Sequence, residues 1–243
     1  MKKKNLSLLL LSVSMSSLVC AQSVSYTQGM FRDRLELNGS WTPTSGNGNF
    51  VLINNERVAG SPFLFEEWAE GHVKTPDGRE YNQYIFKYSP YDGSVHFKNG
   101  NDSSEIDEKI AEFVLTVTDP EDKNVKKLLF LPVANYPKVK NVKGYYQVVY
   151  DGASISVLKA YRKEIKTTSS ALPGTADNKF FDTYWDYYYY DKTSKKITLV
   201  KGDFTALTPF LPLNDEEKNS FMLQIKDKPT ENLLSQLLRQ RKL

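Results

Sequence analysis

The chain has 243 residues, 25% of them charged and 13% aromatic, with a single cysteine, Cys20. Three of its 32 Lys+Arg form Lys2-Lys3-Lys4, which leaves 29 basic against 29 acidic residues beyond position 21. A balanced chain lacks the basic footprint of a nucleic-acid binder, one cysteine cannot make a disulfide framework, and no later apolar run approaches the ~18 residues of a membrane-spanning helix.

Residues 1–21 read as a secretory signal peptide. A basic start, an apolar stretch around Leu8–Leu11 and small residues up to Val19-Cys20-Ala21 place the expected cut after Ala21. The alternative, a lipid anchor on Cys20, is disfavoured by Val19, where such signals carry a smaller residue. Residues 22–243 are then expected in the periplasm or on the cell surface as a single β-rich domain without cysteine, held by its core alone.

Residues 30–37 alternate, with Phe31, Leu35 and Leu37 against Arg32, Arg34 and Glu36, and end at Asn38-Gly39, a dipeptide suited to a hairpin turn. Trp41–Asn49 is Gly-, Pro- and Ser-rich and reads as a loop, and Phe50–Ile53 opens the next strand. Asp77-Gly78, Asp92-Gly93, Asn99-Gly100 and Asp151-Gly152 repeat the turn signal between short alternating runs. That cadence predicts an antiparallel meander, a curved sheet or open barrel, rather than βαβ units.

Ile106 and Ile110 have helical spacing, and Ser104 with Asp107 could cap a short helix, whereas Phe113–Val117 has strand propensity. Val125–Val133 reads as a strand, and Asn135-Tyr136-Pro137 marks a loop where a subdivision near 135–140 could fall. Two hairpin-like units follow, Tyr145–Lys159 and Trp185–Lys201, each an aromatic strand, an Asp-initiated turn and a β-branched strand ending in Lys. Lys166–Lys179, between them, reads as a loop.

Past Pro212 the period becomes helical. Asn214 with Glu217 predicts a capping box, and Phe221, Met222 and Ile225 an apolar stripe. Pro229 ends that helix. A second begins at Thr230 or Glu231 with Leu233, Leu234, Leu237 and Leu238 on one face, which predicts docking on the sheet because so short a helix is unstable alone.

The order Gly60-Ser-Pro-Phe-Leu, Trp68, Gly71-His-Val, Asp77-Gly78 and Tyr84-Ile-Phe-Lys-Tyr88-Ser-Pro-Tyr91, followed by aromatic hairpins and a helical tail, resembles a group of small exported proteins of Bacteroidota. The Val19-Cys20-Ala21-Gln22 leader end is similar to leaders of that phylum. The resemblance implies an exported β-rich architecture and supplies no activity or catalytic residues.

The chemistry-bearing residues are sparse. His72 and His96 are the two histidines, without His-x-His or His-Glu-x-x-His spacing, so no metal site and no cofactor is expected. His96 alternates with Val95 and Phe97 and is expected at the surface. Glu66, Glu67 and Glu70, with Asp77, are candidate acid–base carboxylates, read against a solvated acidic edge beside a buried Trp68. Gly-x-Ser-x-Gly is absent, and Gly46-Asn-Gly48 lacks the strand-to-helix context of a phosphate loop.

Phe181–Tyr190 stands out because both of its faces are aromatic. A strand with one wet face does not look like this, so its second face is either covered by the C-terminal helices or presented to a ligand. Tyr184, Trp185, Tyr187, Tyr188 and Tyr190 are therefore the candidate binding residues. The first expectation is a non-enzymatic envelope protein that binds a protein, glycan or lipid through this face. A carboxylate hydrolase and a lipid carrier holding an acyl chain between sheet and helices are the alternatives.

Overall fold

Among the described residues, short alternating runs separated by turn residues build one sheet and no βαβ unit. The computed structural model describes residues 50–54, 56–118, 123–168, 178–202, 204–227 and 230–242. The expected leader, the 30–37 strand with Asn38-Gly39, the Trp41–Asn49 loop, most of the 166–179 loop and Pro229 lie outside them. The strands are β1 (Phe50–Ile53), β2 (Glu56–Ala59), β3 (Ala69–Lys74), β4 (Glu80–Tyr81), β5 (Ile85–Ser89), β6 (Ser94–Asn99) and β7 (Asp102–Glu105). They continue as β8 (Glu112–Thr118), β9 (Val125–Pro132), β10 (Tyr145–Asp151), β11 (Ile155–Thr168), β12 (Asn178–Asp191) and β13 (Lys196–Val200).

Their order across the sheet is β1-β2-β12-β11-β10-β9-β8-β3-β5-β6-β7, with β4 on β3 and β13 on β12. The fold is mainly β, one large open sheet with C-terminal helices. It departs from a pure antiparallel meander at two joins: β3 pairs antiparallel with the non-sequential β8, and β2 runs parallel to the start of β12, Val58 opposite Lys179. The expected 166–179 loop is shortened by its neighbours: Lys166–Thr168 and Asn178–Lys179 pair as the ends of β11 and β12. Strands β9 and β10, which flank 135–140, are hydrogen-bonded neighbours.

Asp92-Gly93 closes β5–β6, Gly93 taking a φ of +87° that an L side chain resists. Where a short helix is one expectation, Ile106 instead forms a β-bridge, its N–H donating to Val95 O at 2.8 Å, and Ile110 sits in irregular chain, both buried in the core; Ser104 is a strand residue opposite Phe97.

Alternation divides the apolar residues among three cores. Along one face, Val73, Phe86, Tyr88, Val95, Phe97, Phe113, Leu115 and Phe130 pack together, with Phe113 and Phe130 stacked at 4.6 Å. On the same face of β11, Ile155 and Val157 meet the helical layer. The opposite face carries Tyr146, Leu158, Ala160 and Tyr188 under Tyr136, Val139 and Val142 of the 133–144 connection. A bulge between Val148 and Tyr150 switches the face that β10 presents, which moves Tyr150 into the helix-covered core.

The helical layer is a 3-10 segment Phe204–Phe210, α1 (Asp215–Asp227) and α2 (Glu231–Gln240). The capping box forms as expected: Asn214 N donates to Glu217 Oε2 at 3.0 Å and Glu217 N to Asn214 Oδ1 at 2.9 Å. Thr230 caps α2 through Leu233 N at 3.2 Å. Phe221 and Ile225 are fully buried, as are Leu234, Leu237 and Leu238, but Met222 is 40% exposed: the buried stripe of α1 is an i, i+4 pair, and Met222 lies off it.

Burial of tyrosines gives the fold an alkaline limit. Burial pushes Tyr136 and Tyr145 up to about 12 and raises Tyr88 and Tyr146 further. With folded values above the unfolded ~10, their contribution is complete below pH ~10 and is lost as pH rises toward the folded values. Tyrosinate absorbance and loss of β-sheet circular dichroism are therefore expected to rise in one step above pH ~10; tyrosinate appearing well ahead of unfolding contradicts this.

Candidate functional site

Strand β12 pairs with β11 over its full length, so the two share one face pattern. Tyr187 and Tyr189 turn toward the helices: Tyr187 meets Phe204 edge-on at 4.7 Å and Tyr189 stacks on Phe210 at 5.5 Å. Tyr188 and Tyr190 turn the other way, Tyr188 against Tyr146 at 5.6 Å and Tyr190 against Tyr136 at 5.1 Å. Both faces are aromatic because both are covered, one by helices and one by the 133–144 connection. Tyr188, at 4% exposure, is a core residue and offers no surface to a ligand.

The strand emerges at Trp185 and Tyr184. Trp185 is 54% exposed. On the opposite face Tyr184 lies beneath Lys166, 5.2 Å from its ring, and beside the Arg162–Asp186 ion pair of 2.9 Å. Among the binding candidates only Trp185 presents most of its ring to water.

Beneath Trp185 lies a polar cluster where the two cores on this face meet. Lys159 Nζ is 2.6 Å from Glu231 Oε1, Tyr187 OH donates to the same oxygen at 2.6 Å, and Gln147 Nε2 donates to Glu231 Oε2 at 3.2 Å. Tyr161 OH in turn donates to Gln147 Oε1 at 2.7 Å. The Lys159 ammonium stands 4.8, 5.3 and 5.4 Å from the rings of Tyr161, Trp185 and Tyr187, a cation within an aromatic cage.

Electrostatics follow from that packing. Burial by itself raises the Glu231 carboxyl, but Lys159, then Tyr187 and Gln147, outweigh it and hold the group below the ordinary glutamate value. Tyr187 is pushed up by burial and by the Glu231 charge. Glu231 is also the first residue of α2, where the helix dipole favours an anion.

Lys159, Glu231 and Gln147 are not among the site residues expected from the sequence. The signal was present: Ile155, Val157 and Tyr161 alternate onto the buried face and Lys159 falls in phase with them. A lysine on an apolar face requires a carboxylate, and only the fold shows that α2 brings one.

The opening stretch is arranged differently from expectation. Trp68 is half-buried and caps Lys87, 5.2 Å from its ring, instead of anchoring a core. Glu66, Glu67 and Glu70 are exposed, and the Glu66 backbone carbonyl accepts from Lys87 Nζ. Asp77 bonds Thr75 and Arg79 within its own turn.

His72 lies on β3 opposite Val114. His96 shares its strand face with Ser94 as expected, but that face is covered: its ring meets Phe63 edge-on at 5.0 Å, and burial lowers its pKa. The surface expectation fails because the Gly60–Trp68 segment folds over β5–β6, a contact distant in sequence. No cluster of three His, Cys, Asp or Glu able to hold a metal occurs among the described residues, and no described helix is long and apolar enough to cross a membrane.

Compared with protein-family models, curated proteins and solved structures, the chain matches none.

Proposed function

We propose that the chain is an exported, non-enzymatic binding protein that takes a cell-envelope glycan on the sheet face around Trp185. The observation that carries the reading is the 54% exposure of this indole in a strand whose other aromatic rings are packed. A protein interface needs a contiguous apolar patch of several hundred Å². One indole flanked by Lys159 and Glu231, with side chains 12% and 29% exposed, is smaller and more polar than that. It suits a sugar ring, whose C–H face stacks on an aromatic plane while its hydroxyls meet charged groups at the edge.

The leader signals and the resemblance of the Gly60–Tyr91 segment to exported Bacteroidota proteins support the compartment. Affinity electrophoresis through soluble envelope polysaccharide tests the reading. Trp185→Ala is expected to weaken retention about 10- to 100-fold, as for an aromatic hot spot, while lowering stability by less than about 1 kcal/mol because the ring is largely outside the core. Equal retention of variant and wild type refutes it.

A further inference from the structure

A second site lies on the far side of β5 and β6. One face of this pair gives Phe86, Tyr88, Val95 and Phe97 to the core. The other carries Lys87, Ser89, Ser94 and His96, with Lys87 opposite His96 and Ser89 opposite Ser94. Val51 and Ile53 of β1, Phe63 and Tyr91 lie over this polar face and enclose a half-open pocket of about 70 Å³ with Ser89 and His96. It forms a seam, because β1 heads the strand order and β5–β6 stand near its other end.

Ser89 is 1% exposed, and its hydroxyl has no hydrogen-bond partner among the described residues. A buried hydroxyl without a partner is unfavourable, whereas alanine in its place is not. His96 is set by its neighbours. Ser94 Oγ gives its proton to Asp92 Oδ1 at 2.7 Å, so at the 2.9 Å contact between Ser94 Oγ and His96 Nε2 the ring nitrogen is the donor. Burial and, to a smaller degree, Lys87 favour the neutral ring, against Asp92. A neutral ring protonated at Nε2 keeps an acceptor at its other nitrogen. The seam thus offers the Ser89 hydroxyl as donor and His96 as acceptor under an apolar roof, with Asn54 and Asp92 also in its lining, in about half the ~150 Å³ that takes a benzene ring.

We infer that the seam pocket binds a neutral acetamido group. Its four heavy atoms fit the volume, its carbonyl accepts from Ser89, its N–H donates to His96, and its methyl lies against Val51 and Phe63. N-acetylated sugars and acetylated peptides both carry this group. The inference is independent of the Trp185 reading.

The test is an amide-resonance titration of the full chain with N-methylacetamide, with tert-butanol, equal in heavy atoms but without the amide, as control. N-methylacetamide is expected to produce saturable shifts at Ser89, His96 and Phe63 and to bind at least about 3-fold tighter than tert-butanol. Ser89→Ala is expected to weaken N-methylacetamide about 3- to 10-fold with Tm unchanged or raised. Val51→Phe, which fills the roof, abolishes the shifts, and Trp185→Ala leaves them intact. N-acetylglucosamine and N-acetylalanine methylamide, run in parallel, assign the source. Absence of saturation up to ~100 mM, equal affinity for tert-butanol, undiminished binding by Ser89→Ala, or a fall in its Tm overturns the inference.

Discussion

Gly71→Ala is expected to abolish folding or to lower stability by about 3 kcal/mol or more, measured by urea denaturation. Gly71 lies in β3 opposite Leu115 of β8, and a Cβ there would stand 1.9 Å from the Val114 carbonyl oxygen and 3.0 Å from its carbon. The obstructing atoms are backbone, so no rotamer change relieves the clash. β3 must move away from β8 and give up ladder hydrogen bonds in the middle of the sheet. Gly78→Ala is the control. Gly78 has a φ of +87° but nothing within 4 Å of its would-be Cβ, so only backbone strain of about 1–2 kcal/mol is expected. Equal effects of the two substitutions would mean that β3 and β8 do not approach as described.

Glu231→Ala is expected to destabilise by about 3 kcal/mol, because it strands the Lys159 ammonium and removes the acceptor of Tyr187 and Gln147. Lys159→Met/Glu231→Leu together are expected to recover the part of the loss that comes from the unpaired ammonium, since an apolar pair of similar volume leaves no unpaired charge, while Tyr187 and Gln147 still lack their acceptor. The pH dependence has a definite sign. A folded pKa held below the unfolded ~4.3 makes the Glu231 contribution complete above that value and lost as pH falls through the folded one. The gap between wild type and Glu231→Ala should therefore narrow below pH ~4; a gap constant from pH 7 to pH 3 contradicts the ion pair.

Local signals in the chain were legible where a feature depends on neighbours in sequence. The turn residues at Asp92-Gly93 and Asn99-Gly100, the Asn214–Glu217 capping box and the leucine face of α2 all lie within a few positions of one another. What was not legible depends on contacts distant in sequence. Trp68 is expected to be buried, but it lies half-buried over Lys87. His96 looked like a surface residue until the Gly60–Trp68 segment placed Phe63 on its ring. The parallel join of β2 to β12 brings together residues some 120 positions apart, for which no local pattern exists. The aromatic strand gave a correct alternative and an incomplete one: both faces are aromatic because both are covered, and the exposed residue is the single Trp185.

The most direct measurement of the central claim is amide and indole resonance mapping of the protein titrated with soluble envelope glycan. Saturable shifts are expected, centred on the Trp185 indole and the amides of Lys159, Glu231 and Asp186, with the amide shifts lost in Trp185→Ala. Saturable binding that leaves the Trp185 indole resonance unmoved would contradict it.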